Sequence, residues 1–421
     1  LEFHILDKSP IIYQYMSEQI SSKLVTYAAF LVTLGVVGIS IISVIFPALI
    51  ISNTYEFPND LDPFETSPWT LPITISIISF LSMGFLYKNK KLPATFSSGI
   101  KFILNFEISK KVAVIVSIII LGLYIGLSFD ELFLNEVEQW PDYLILKEAL
   151  DIFPSTDHSS IYVNEQNTRY VRMILLDFSQ EFIQNIKFLP FVASILVVIF
   201  TALITIQISK KRFTGIIAMI ILLQSITFTD FDTIAVYENF WVLFFLISLY
   251  TVQRKSWYIS PISFILSIFS KAFVVTYFWI NIFFILRAEI SKKIKYYLLS
   301  AYVAIISITY FIFQNQTSII YDQIVKIDFN SFLNGFTGWG NSMQLDPLVM
   351  LCIIPLTIGL FLKSLKGIKQ ADSILIMIMG TIIAGPLISL VTDFYFILPY
   401  RFIPLIVAIA IGIGVFLSKE N

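Results

Sequence analysis

Residues 256–286 read SWYISPISFILSIFSKAFVVTYFWINIFFIL, an apolar stretch of 31 residues whose only charge is Lys271. A helix rises 1.5 Å per residue, so about 20 residues cross the hydrocarbon of a bilayer. The stretch is therefore either one long tilted helix or two short limbs meeting around Ser270 and Lys271. Charge parity decides between them. Basic clusters at Lys88/Lys90/Lys91/Lys110/Lys111, Lys210/Lys211/Arg212, Arg254/Lys255 and Lys363/Lys366/Lys369 share one side if successive loops alternate. The positive-inside rule makes that side cytoplasmic. Arg287, Lys292, Lys293 and Lys295 join them only if the chain turns back near Lys271, so the stretch is expected to be a hairpin.

Working outward, further apolar runs lie near 24–52, 69–87, 112–129, 188–208, 213–229, 234–252, 296–313, 347–362, 372–391 and 396–417. With the two limbs they predict an all-α, polytopic transmembrane bundle of about 12 membrane segments, with both termini cytoplasmic. This arrangement puts 21 of the 28 Lys and Arg residues inside and 22 of the 29 Asp and Glu residues outside. A hydrophobic fraction of 57% against 14% charged residues excludes a soluble fold. Long uninterrupted apolar runs exclude a membrane β-barrel, whose strands are short and alternating. An integral protein, of the plasma membrane, is expected.

The lone Cys352 permits no intrachain disulfide, and His4 and His158 are too few for a histidine metal site or a histidine-based triad. Acid or base chemistry has to rest on carboxylates. Two outer segments are long, 130–187 and 314–346. Within the first, apolar residues recur three or four apart over 168–186, as in an amphipathic helix lying along the interface. There Arg169 and Arg172 can share one face toward lipid headgroups. The second contains Gly335, Gly338 and Gly340 around Trp339 and reads as a flexible outer turn. It lacks the strand and Gly-Lys-Ser/Thr context of a nucleotide-phosphate loop. The basic inner loops serve as topology signals, so no nucleic-acid partner is expected.

Asp130 and Glu131 end the charge-free run 112–129. Neighbours on a helix point about 100° apart, so only one can enter a cavity. A carboxylate at a membrane mouth among like charges has a raised pKa, which suits a general base. One of the two is the candidate base, with a solvated helix end that marks the interface as the alternative. The next outer turn carries Asp230 and Asp232, with helix capping as the alternative to a binding role. Glu238 lies a turn further into an apolar segment, where an ionisable group should face protein or water rather than lipid. Lys271 and Arg401, the latter after Tyr400, are two of only seven outer cations. A lipid phosphate calls for cations in such positions.

This layout resembles the GT-C superfamily of membrane glycosyltransferases, which includes protein O-mannosyltransferases and aminoarabinose transferases. In that family a first core span ends in an outer acidic pair, similar to Asp130-Glu131. A long outer loop with interfacial helices leads to the second core span, as 169–211 does here. An acidic outer turn before an aromatic-rich span resembles 230–250, a Lys between short apolar limbs resembles 263–271, and Tyr400-Arg401 resembles a Tyr-Arg opening a late helix. The resemblance covers 110–417 and leaves residues 1–110, with two spans, as an N-terminal extension to a core of 111–421.

The resemblance implies a polyprenyl-phosphate-linked sugar as donor and a glycan, lipid or protein as acceptor on the non-cytoplasmic face. It also implies an inverting displacement, with Asp130 as base and Glu131 as positioning partner. Lys271, Arg401, Tyr400, Arg169 and Arg172 would attend the donor phosphate. Asp230, Asp232 and Glu238 would bind acceptor hydroxyls or a divalent metal ion. A transporter or flippase would instead carry charges near the midplane and internal repeats. A structural subunit of a membrane complex would tolerate neutral substitution of the outer carboxylates.

Overall fold

Within hydrocarbon a backbone must satisfy its own hydrogen bonds, and among the described residues every regular element is helical. The computed structural model describes residues 9–50, 62, 64–137, 140–320, 327–391 and 398–418. The chain opens with α1 (Ser9–Ile45), the single turn α2 (Pro47–Ile50), α3 (Thr70–Lys88), α4 (Ala94–Asn105) and α5 (Lys110–Ser128). Three shorter helices follow, α6 (Asp142–Ile152), α7 (Ile161–Asn167) and α8 (Tyr170–Ile183), before α9 (Phe188–Ser209). Next come α10 (Arg212–Leu223), α11 (Ile226–Asp230), α12 (Phe240–Thr251), α13 (Ile259–Ser270) and α14 (Phe278–Arg287). The chain closes with α15 (Lys292–Ile320), α16 (Phe329–Met343), α17 (Pro347–Leu365), α18 (Ala371–Val391) and α19 (Ile403–Phe416).

Eight helices among the described residues are long and apolar enough to cross a membrane, and several of them make this an integral membrane protein. The runs expected at 213–229 and 234–252 are shorter than predicted. The helices there, α10 and α12, have 12 residues each. In the first, Ser225 interrupts the run by capping α11, its hydroxyl accepting from the Phe228 N–H. Asp230 closes α11, and the helix after the turn, α12, starts from Asn239 with no side-chain cap, so neither Asp230 nor Asp232 caps it.

The 256–286 stretch breaks at Lys271, which has extended backbone (φ −155°, ψ 111°) between α13 and a 3-10 turn, Ala272–Tyr277. Its two outer ends meet the same end of the bundle. Trp257 stacks near Tyr297 at the start of α15 (centroids 6.3 Å apart), and Arg287 Nε donates to Asp372 Oδ1 at 3.0 Å. Lys271 instead meets Tyr400 at the opposite end. The chain therefore doubles back at this residue. Other contacts follow the same division: Lys211 Nζ donates to the Leu104 carbonyl and Lys363 Nζ to that of Ser418, both at the basic end. Ser128 bonds Asp232 and Tyr237 bonds Asp142 at the acidic end.

α19 is the central helix, buried along nearly its whole length against α9, α10, α17 and α18. α1 is not peripheral to this core. It packs on α16, α17 and α18, and Thr26 Oγ1 donates to Asp372 Oδ2 at 3.0 Å.

The glycine-rich segment around Trp339 is a helix, α16, and not a flexible turn. Glycine costs helix stability in solution, but here it permits close approach to α18. A Cβ on Gly335 would lie 2.5 Å from the Pro386 Cα, and Trp339 and Phe336 on the same helix are fully buried. Such small-residue contacts are a common way for helices to pack in lipid. Gly335→Ala is expected to lower the thermal midpoint of the purified protein, because backbone rather than a movable side chain blocks the methyl group. Overpacking costs about 1–3 kcal/mol, outweighing the gain of about 1 kcal/mol in helix propensity. Gly122→Ala, in open space on α5, should not destabilise. An unchanged midpoint for Gly335→Ala would remove this account of the helix.

Candidate functional site

At the acidic end α5 tightens into a 3-10 turn, Asp130–Phe133, which sends its two carboxylates apart. Asp130 is exposed and makes no hydrogen bond or ion pair among the described residues. Glu131 turns toward the 231–239 loop, where its Oε2 accepts from Thr233 Oγ1 at 3.1 Å. Its carbonyl accepts from Lys187 Nζ at 2.6 Å. Of the two neighbours, Glu131 is therefore the one that faces the buried loop, and Asp130 faces away from the protein.

Asp232 is fully buried beside Tyr124. Its Oδ2 accepts from Ser128 Oγ at 3.1 Å and its carbonyl from Ser194 Oγ at 2.7 Å, while Oδ1 is without a hydrogen bond. Burial raises the Asp232 carboxyl to about 7, the Tyr124 and Ser128 hydroxyls oppose the rise, and the nearby Glu131 charge adds to it. Asp230 ends α11 on the exposed side, with its carboxyl raised by partial burial.

The loop 231–239 is buried throughout but has no regular structure, so side chains must satisfy its backbone. Glu136 accepts from the Ala235 and Val236 N–H groups at 2.6 and 3.4 Å, and Lys187 lies 3.9 Å from the same carboxylate. Burial raises the Glu136 carboxyl, against the pull of these donors. From the other side Arg172 Nη2 donates to the Val236 carbonyl at 2.8 Å and to that of Ala235 at 3.4 Å. Arg172 Nε also pairs with Glu238 Oε2 at 2.7 Å, both side chains being almost fully buried. Glu238 thus faces protein, as expected of a charge within an apolar segment.

Arg169 and Arg172 do share a helical face at the start of α8, but it points inward, where Arg169 is held by Glu165 and Gln166. Apolar Ile174, Phe178 and Phe182 form the exposed face of that helix. Of the side chains that hold the loop, Arg172 was singled out from the sequence and Glu136 was not; nor were Lys187, beside Glu136, or Glu165 and Gln166, which hold Arg169 and Arg172. Among those missed, Lys187 alone carried a signal, as one of the seven outer cations.

Lys271 and Arg401, 130 residues apart, converge on Tyr400. The Lys271 ammonium lies 4.2 Å from the centre of the Tyr400 ring and the Arg401 guanidinium 5.5 Å from it, and Arg401 Nε donates to the tyrosine oxygen at 3.2 Å. Such placements are favourable cation–π contacts. Among the described residues Lys271 has no carboxylate at ion-pair distance. Tyr237 stacks on Tyr400 (centroids 4.5 Å apart, planes at 18°) and donates to Asp142 Oδ2 at 2.9 Å. Trp140 and Phe231 extend this aromatic wall. One buried loop therefore joins two chemistries: Asp232 and Thr233 belong to a carboxylate cluster with Glu131, and Phe231, Tyr237 and Glu238 border a basic, aromatic cluster.

The three acids expected to take acceptor hydroxyls or a divalent ion do not converge. Glu238 is held by Arg172, Asp230 faces outward and Asp232 points toward Ser128. Among the described residues no group of three His, Cys, Asp or Glu side chains could hold a metal ion, so these residues do not fit one. Comparison with known protein families, curated proteins and solved structures finds no match to this chain.

Proposed function

We propose that this chain is a membrane glycosyltransferase of the GT-C type, transferring a sugar from a polyprenyl-phosphate donor to a glycan, lipid or protein acceptor. Its four shorter apolar stretches complete about 12 membrane segments, with both termini cytoplasmic in the plasma membrane and the acidic end on the non-cytoplasmic face. The observation that carries the proposal is the meeting of Lys271, Arg401 and Tyr400 beside the loop bearing Asp232. Cations bordering an apolar bundle suit a phosphate that arrives on a lipid tail.

In the proposed reaction the acceptor O–H gives its proton to a carboxylate of the Asp130-Glu131 pair. The acceptor oxygen then bonds the anomeric carbon from the face opposite the phosphate. The C–O bond to phosphate breaks with its electron pair, and Lys271 and Arg401 stabilise the departing polyprenyl phosphate. Of the acidic pair, Glu131 has the geometry for the base, since it turns toward Asp232. Asp232 and Asp230 are the acceptor-side carboxylates. Arg169 and Arg172 support the phosphate pocket through Glu165 and Glu238.

Binding of a polyprenyl phosphate to the reconstituted protein tests this directly. Lys271→Ala and Arg401→Ala should each weaken binding about tenfold or more, consistent with charge-assisted hydrogen bonds of roughly 1.5–3 kcal/mol. Arg401→Lys should also impair it, because the planar fork is lost while the charge remains. Unchanged binding in both alanine variants would refute the assignment.

A further inference from the structure

The helix α4 lies between the spans α3 and α5 and has no buried residue. Phe96, Ile100 and Ile103 recur three or four residues apart along one face, and Phe96, Phe102 and Ile103 are exposed. Opposite that face are Ser97, Lys101 and Asn105. Apart from the Lys211 ammonium on its Leu104 carbonyl, this 12-residue helix buries no side chain against the protein around it, so its apolar face requires another partner.

The charges indicate which partner. Lys88, Lys90 and Lys91 end α3, Lys101 lies on α4, and Lys110 and Lys111 start α5, so six lysines flank or occupy one short segment. The single acid between them, Glu107, is engaged by Arg212, which approaches it to 3.8 Å. Both neighbouring helices are long and apolar enough to cross a membrane, which puts their lysine-bearing ends, and α4 between them, at headgroup depth. On one flank of α4 a shallow concavity is lined by Ser98, Lys101, Phe102, Asn105, Phe106 and Glu107. It presents an ammonium, a hydroxyl and an amide beside two phenyl rings, the combination that a phospholipid offers in complement: a charged headgroup joined to acyl chains.

We propose that α4 is an interfacial helix that recruits anionic phospholipid, its aromatic face inserted among acyl chains and Lys101 with the flanking lysines on the headgroups. The site is independent of the transferase reading and lies at the opposite end of the chain's charge pattern from Lys271 and Arg401. It provides the bundle with a fixed depth and tilt reference at its basic end.

The full-length protein in nanodiscs of phosphatidylcholine, with and without phosphatidylglycerol, tests the proposal. Native mass spectrometry of lipid retained by the protein should show phosphatidylglycerol enriched over its share of the disc. Lys101→Gln should lower that enrichment about fivefold, the effect of one lysine at an anionic surface, and combining it with Lys88→Gln, Lys90→Gln and Lys91→Gln should abolish it. Backbone hydrogen exchange over residues 94–105 should slow when phosphatidylglycerol is present, while exchange in α3 and α5 stays the same and reports an intact fold. Equal retention of the two lipids by the parent protein would overturn the proposal. So would undiminished enrichment in the fourfold variant with α3 and α5 still protected.

Discussion

Glu131→Gln is expected to reduce sugar transfer by about 10²–10⁴-fold, the usual effect of losing a general base, while leaving donor binding unchanged. The amide keeps the shape of the carboxylate and can still accept from Thr233 Oγ1, so folding should be preserved. Asp130→Asn should be far milder, because its side chain is exposed and has no partner among the described residues. The sequence favours Asp130, the first carboxylate after the apolar run. In the structure it is Glu131 that contacts the buried loop, through Thr233, and the proposed assignment of the base follows that contact. Measured on a donor and acceptor that the parent enzyme uses, loss confined to Asp130→Asn would return the role to that residue. Parent-like turnover in both variants would remove the acidic pair from the mechanism and favour a structural subunit.

The same measurements gain a second readout from Asp232. Its carboxyl is pushed up to about 7 by burial, so it changes charge across neutral pH rather than well below it. If Asp232 attends the acceptor, the parent pH–rate profile should bend near pH 7, and Asp232→Asn should remove that bend. Folding stability carries the same linkage with a definite sign. A carboxyl whose folded-state pKa is raised stabilises the fold fully below its unfolded value. That contribution is lost as pH rises through about 7.

Arg172→Ala should destabilise the protein by about 3–5 kcal/mol, since removing one member of a buried pair leaves the other charge without compensation. The variant strands Glu238 and also leaves the Ala235 and Val236 carbonyls without their donor. Replacing both partners, as Arg172→Met with Glu238→Leu, should recover part of the loss, because apolar groups of similar size can substitute for a buried ion pair. Recovery should stop short of the parent, as the two carbonyls stay unsatisfied. The thermal midpoint of the purified protein measures all three. A midpoint for Arg172→Ala equal to that of the parent would mean that the loop does not depend on this clamp.

Much of the architecture was legible along the chain because lipid imposes a simple rule. Apolar length sets where a helix can cross, and lysine and arginine mark one side. The break at Lys271 followed from charge parity alone, and the structure puts Arg287 at the basic end with Asp372 and Lys271 at the acidic end with Tyr400. The convergence of Lys271 and Arg401 was legible for a related reason. Cations are rare on an acidic face, so their rarity singled them out before any contact was known.

Other features had no periodic signal. Glycines 335, 338 and 340 carry the composition of a turn, and only the backbone of Pro386 pressed against Gly335 explains why a helix is preferred there. Arg169 and Arg172 lie on one helical face in any reading, but whether that face meets headgroups or Glu238 depends on how α8 is rotated against its neighbours. The sequence by itself determined which segments are apolar, which side of each loop is basic and where the long outer segment turns amphipathic, because these follow from local composition and period. Tertiary structure alone decided which carboxylate of Asp130-Glu131 faces Asp232 and how Glu136 and Arg172 clamp an irregular buried loop. Those outcomes depend on side-chain directions and on partners 63 to 102 residues away, a distance over which no spacing rule operates.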